Sequence, residues 1–122
     1  MNGYNEEFRV KDGVLNVHLS GTFPKELLYA GQNLFQPLID ECLAHNCKHA
    51  LIDARDLHVN LSTMAIFQAG EDAATLTRIG LRVAFLARED MLDPFFEHVA
   101  FNRGGNVGVF LDKETALDWL EK

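Results

Sequence analysis

Apolar residues along this chain fall into short clusters whose spacing switches between a strand period and a helix period. Leu15, Val17 and Leu19 alternate with Asn16, His18 and Ser20, the two-residue repeat of a half-covered strand. Residues 6–11 (EEFRVK) and the pair Asp12-Gly13 stand just before them, so the N-terminal region reads as a hairpin whose second strand enters the main sheet. From 25 to 45 the positions Leu27, Leu28, Leu34, Phe35, Leu38, Ile39, Cys42 and Leu43 follow one helical face. Pro24 suits a first helical turn. Pro37 removes an N–H and crowds the carbonyl four residues back, so a break is expected near 33–36, and Gly31 weakens the helix further. Asn46 is the expected C-cap.

The stretch 50–63 (ALIDARDLHVNLST) follows, and the rest of the chain is organised around it. Ala50, Leu51, Ile52 and Ala54 form the short apolar run of a strand covered on both faces, ending near Asp53 and followed by a polar turn. Residues 64–78 return to helical spacing, with Ser62 or Thr63 as N-cap and Gly80 as C-cap. Residues 81–87 (LRVAFLA) are apolar apart from Arg82 and read as an interior strand. Asp93-Pro94 opens a further helix with Leu92, Phe95, Phe96 and Val99 inward and Phe101 off that face. Residues 106–111 form a last strand. Asp112 caps a final helix carrying Ala116, Leu117, Trp119 and Leu120, with Glu114 and Thr115 in its first turn.

The order is therefore ββαβαβαβα. Helices alternating with strands imply an α/β fold with a mostly parallel mixed sheet and right-handed crossovers, the N-terminal hairpin adding one antiparallel edge. With 122 residues and no linker, repeat or low-complexity segment, residues 1–122 are expected to form a single domain.

Charge and cysteine usage narrow the function. A net charge of −7 disfavours nucleic acid and anionic membranes, and fits solubility or a basic protein partner. No stretch approaches the ~18 apolar residues of a membrane span. The N-terminus lacks the basic and apolar regions of a signal peptide, so two reduced thiols, Cys42 and Cys47, in a cytoplasmic protein are expected.

In open α/β sheets ligands and partners gather beyond the carboxyl ends of the strands. Asp53, Arg55, Asp56 and His58 are the candidates for that edge. Ser62 and Thr63 stand at the mouth of the next helix, where free N–H groups and the helix dipole favour an anion or phosphate. Cys42, His45, Cys47 and His49 lie close together, but their spacing matches no zinc-ligand run, and neither a metal nor a cofactor is expected. Ser62 with His58 and Asp53 or Asp56 could be arranged as a hydrolase triad, although no G-x-S-x-G elbow is present. No phosphate loop or dinucleotide glycine fingerprint follows any strand.

Two stretches, LIDARDLHVNLST before a helix and the ending VGVFLDKETALDWLEK, resemble the STAS domain of anti-sigma-factor antagonists, and more closely the SpoIIAA-like (STAS-like) family of small bacterial proteins. The resemblance implies a non-enzymatic, partner-binding protein. In the regulatory antagonists a serine at this helix mouth is phosphorylated by a partner kinase, usually within an Asp-Ser-Ser-Gly-like run. The matching stretch here is Asn60-Leu61-Ser62-Thr63-Met64, which lacks the acidic residue and the glycine; Ser62 is the better match and Thr63 the alternative. The other readings are a carrier of an apolar or anionic small ligand, with Phe23, Tyr29 and Phe35 framing a pocket, and the Ser62/His58 hydrolase. A homodimer through the helix at 93–103 is a further expectation.

Overall fold

The computed structural model describes residues 3–24, 26, 33–59, 63–89 and 106–121, without the side chains of 63–67, 70, 74 and 77. A hairpin opens the chain. Strand β1 (Asn5–Lys11) pairs antiparallel with β2 (Val14–Thr22), and Asp12 and Gly13 turn between them with φ of 54° and 77°. Two successive residues with positive φ are what a two-residue type I′ turn requires, and Asp-Gly supplies them at low cost. Helix α1 (Gln36–Ala44) leads to β3 (His49–His58), then α2 (Thr63–Arg78), β4 (Arg82–Leu86), β5 (Val107–Phe110) and α3 (Lys113–Leu120). The sheet order is β1-β2-β3-β4-β5, and every pair after the hairpin is parallel.

Each parallel crossover steps the same way across the sheet. Right-handed connections then put the intervening helices on one face. Accordingly α1 and α2 send Leu38, Ile39, Cys42, Ala73 and Leu76 against Leu15, Val17, Ala50, Ile52, Val83 and Val107. Helix α3 covers the opposite face, packing Ala116 and Leu120 on Leu51, Ala84 and Leu86, with Phe110 and Trp119 alongside. Strand β3 is thus covered on both faces, which is why its first half reads as an unbroken apolar run. A fully buried leucine such as Leu86 or Leu120 contributes about 2 kcal/mol by leaving water.

Helices α1 and α2 end alike. Asn46, at φ 54°, follows α1, and Cys47 N–H donates to the Cys42 carbonyl at 2.8 Å while Asn46 N–H donates to Leu43. Gly80, at φ 83°, follows α2, and Leu81 N–H donates to Leu76 at 2.9 Å. These are Schellman closures, in which a left-handed residue lets the chain satisfy orphan carbonyls and fold back on the core. Cys42 and Cys47 occupy the paired apolar positions of the first closure; both are buried free thiols, and burial first, then the neighbouring Cys47, pushes Cys42 up to about 11.

Arg82 ties α3 to the sheet. Its guanidinium lies 3.8 Å from the Trp119 ring centroid, donates to the Trp119 carbonyl from Nε (3.2 Å) and Nη2 (2.8 Å), and reaches Asn106 Oδ1 from Nη1 at 2.8 Å. Gly108 allows the close approach: a Cβ there would come within 2.7 Å of the Phe110 ring and 3.3 Å of Trp119.

Three expectations change or leave view. The strand expected to end near Asp53 runs on to His58, because pairing with β2 resumes at Asp56 and continues through Leu57 and His58. The break expected near 33–36 is the start of α1, with Pro37 in its first turn, where its missing N–H costs nothing. The earlier part of that helical run, including Tyr29, and the helix expected from Asp93-Pro94, including Phe101 and the 93–103 dimer surface, lie outside the described residues.

Candidate functional site

The site forms where β2 and β3 end, and a shift in their pairing makes it. His18 pairs with Asp53, but two residues later Ser20 pairs with Asp56, so β3 carries one extra residue. Side chains alternate along a strand, and an extra residue inverts that alternation. Asp53, on the α3 side with Leu51, is therefore joined there by Asp56, while Leu57 returns to the core at 5% exposure. Without the shift Asp56 would face the core and Leu57 the solvent. The composition A-R-D-L after Asp53 makes the irregular pairing the favourable one.

Two ion pairs follow from this geometry. Arg55 grips Asp53 with both ends of its fork, Nε to Oδ1 at 2.9 Å and Nη2 to Oδ2 at 2.8 Å, and its own backbone N–H adds a third bond at 3.1 Å. Those bonds, Arg55's foremost, hold the Asp53 carboxyl below the usual aspartate range. His18 Nε2 meets Asp56 Oδ2 at 2.8 Å, with side chains 40% and 68% exposed. Pairs this exposed contribute about 0–1 kcal/mol to stability, so their interest lies in what they present to a partner. Arg88, just beyond β4, donates to the carbonyls of Arg55 and, at 3.1 Å, Leu57. It braces the irregular stretch from the neighbouring strand. Asp112, the N-cap of α3, accepts from Thr115 N–H at 2.9 Å and Thr115 Oγ1 at 2.6 Å, and its charge reaches Arg55. The Thr115 bonds, with a smaller contribution from Arg55, hold Asp112 low.

Of the residues expected at this edge, Asp53, Arg55 and Asp56 are brought together. His58 is exposed at the strand end, where its carbonyl accepts from Phe23 N–H at 2.9 Å. Both candidate acids are engaged elsewhere, Asp53 by Arg55 and Asp56 by His18. Helix α2 begins at Thr63; Ser62 lies outside the described residues, as does the Thr63 side chain. His18, Arg88 and Asp112 join the site without having been singled out for it. The signal for His18 was its place on the polar face of a strand adjoining β3. Arg88 carried none, since it reaches β3 through the backbone carbonyls of Arg55 and Leu57. Of the rings considered for a pocket, Phe23 stacks edge-on against Tyr4 and Phe35 against Phe85, each with ring centroids 5.8 Å apart, and Tyr29 lies outside the described residues. Among the described residues no cluster of His, Cys, Asp or Glu is arranged to hold a metal, and no helix is long and apolar enough to cross a membrane.

No protein-family model matches the chain. No curated protein matches it either. Solved structures do. An uncharacterized protein from the DUF3478 family with a SpoIIAA-like fold, from Shewanella loihica PV-4, aligns over 98% of this chain and 95% of its own, with 23% identity and a TM-score of 0.60. This chain has a SpoIIAA-like fold. An anti-sigma factor antagonist from Mycobacterium paratuberculosis aligns over 98% and 96% of the two chains, with 12% identity and a TM-score of 0.58. The SpoIIAA-like sheet and its helices thus match over nearly the whole chain, and at these identities the likeness is one of fold. In this fold the carboxyl edge of β3 and the start of α2 are neighbours in sequence, with four residues between His58 and Thr63.

Proposed function

We propose that this chain is a non-enzymatic regulatory protein that binds a protein partner through the carboxyl edge of β2 and β3. The observation that carries the reading is the irregular pairing at Asp53–Asp56, which turns two carboxylates and Arg55 toward one exposed face. The SpoIIAA-like fold, shared with an anti-sigma factor antagonist, supports it. Charge supports it as well: an acidic chain with acidic groups at this edge would steer a basic partner surface toward it. Ser62 is the proposed switch, with Thr63 the alternative. A phosphate before α2 would be favoured by the helix's free N–H groups and would change the charge that the partner meets. A hydrolase built on Ser62 and His58 would need an acid on His58, and the two near it in sequence are bound elsewhere. A domain spanning 1–122 in the cytoplasm fits this role.

Two measurements test it. Incubation with the cognate kinase should raise the mass by one phosphate, and Ser62→Ala should abolish the rise; a rise that persists removes Ser62 from the role. A partner retained by the parent protein should be lost with Asp56→Lys while the far-UV circular dichroism stays unchanged. Equal retention by both would contradict docking at this edge.

A further inference from the structure

Strand β1 is the outer edge of the sheet, bonded to β2 on one side and to no strand on the other among the described residues. Such an edge exposes a row of N–H and C=O groups that can pair with another strand. Proteins discourage this with outward charges, and β1 carries four: Glu6, Glu7, Arg9 and Lys11. Their order is unusual, acids first and bases last. Arg9 and Lys11 form no ion pair among the described residues, and Glu7 accepts only from Asn5 Nδ2, at 3.2 Å.

We propose that β1 joins two copies of this chain by antiparallel pairing about a two-fold axis at Phe8. In that register all seven residues of each strand are matched. Glu7 faces Arg9 on one face, twice by symmetry, and Asn5 faces Lys11. On the other face Phe8 meets its symmetry mate, and Glu6 lies opposite Val10, an apolar side chain left 41% exposed in the single chain. Antiparallel pairing fixes which residues can face each other, because outward-pointing backbone groups alternate along the strand. The two adjacent allowed registers centre on Glu7 or Arg9, setting like charges directly opposite. Opposite charges across such a pair stabilise it, and like charges destabilise it. The charge order that would keep a foreign strand away therefore selects a second copy of the same one. The result is a single ten-stranded sheet running through the dimer. This surface is separate from the docking edge at Asp53–Asp56, which lies two strands away, so either proposal can fail alone.

Sedimentation equilibrium of the full chain, from low to high micromolar concentration, tests this. The parent protein should move from 13.7 kDa toward twice that mass as concentration rises. Arg9→Glu should weaken the dimer about tenfold, since two attractive pairs become repulsive. Glu7→Arg should do the same, and the double exchange Glu7→Arg with Arg9→Glu should restore the dimer. A parent protein that stays monomeric throughout overturns the proposal. So does a dimer that Arg9→Glu leaves unchanged, or one that the double exchange fails to rescue while circular dichroism shows every variant folded.

Discussion

Replacing Arg82 with alanine should cost more than any surface substitution in this chain. The side chain makes three hydrogen bonds, two to the Trp119 carbonyl and one to Asn106 Oδ1, and stacks 3.8 Å from the Trp119 ring. A hydrogen bond involving a charged group contributes about 1.5–3 kcal/mol, and the two bonds to one carbonyl count as little more than one. A cation over an indole adds about 0.5–1 kcal/mol at a partly exposed site. Truncation also leaves a last-turn carbonyl of α3 without its cation. Solvent reaches part of this half-buried group and replaces some of what is lost, so the net effect should be about 2–3 kcal/mol. Urea unfolding followed by tryptophan fluorescence measures it, since Trp119 is the single tryptophan and sits under the guanidinium. Arg82→Lys keeps the charge but not the planar fork, and should recover less than half of the loss. A cost below about 0.5 kcal/mol for the alanine variant, the range of ordinary surface changes, would refute the assignment of Arg82 as the α3 anchor.

Three further outcomes follow from the same structure. Gly80→Ala should destabilise by about 1 kcal/mol through backbone strain alone, because φ is 83° and a Cβ there meets nothing within 4 Å; Asn46→Gly, at φ 54°, should be neutral or stabilising in the same denaturation series. Asp53 has a folded-state carboxyl held low by Arg55, so its contribution is fully present above the unfolded value of about 3.9 and is lost as pH falls through the lower folded value. The stability gap between the parent protein and Asp53→Asn should therefore be constant from pH 7 to about 5 and close on further acidification; a gap that widens with acid would reverse the assignment.

Particular residues explain what the sequence did and did not disclose. The alternation of Leu15, Val17 and Leu19, the Asp12-Gly13 turn, Gly80 after α2 and Asp112 before α3 are local signals, and each lies where its periodicity or backbone preference put it. The end of β3 is not legible locally, because Asp53, Arg55 and Asp56 look like a turn when read alone. Their strand conformation is imposed by β2, whose Ser20, Gly21 and Thr22 pair with Asp56, Leu57 and His58. A register shift between strands some thirty-five residues apart in sequence has no local signature, and it is what puts the two carboxylates on one face. Arg82 was legible only as an interruption in an apolar strand. Its partners, Trp119 and Asn106, come together with it only once α3 lies across the sheet. His18 and Asp56, 38 residues apart, meet for the same reason.

The central claim is that β3 gains one residue against β2 between Asp53 and Asp56, and so turns both carboxylates toward the α3 face. Cross-strand nuclear Overhauser contacts in the folded protein read that register directly. Contacts should pair His18 with Asp53 and Ser20 with Asp56, with Leu57 against the core. Contacts pairing Ser20 with Arg55 instead would mean an uninterrupted ladder, with Asp56 on the opposite face from Asp53, and would contradict it.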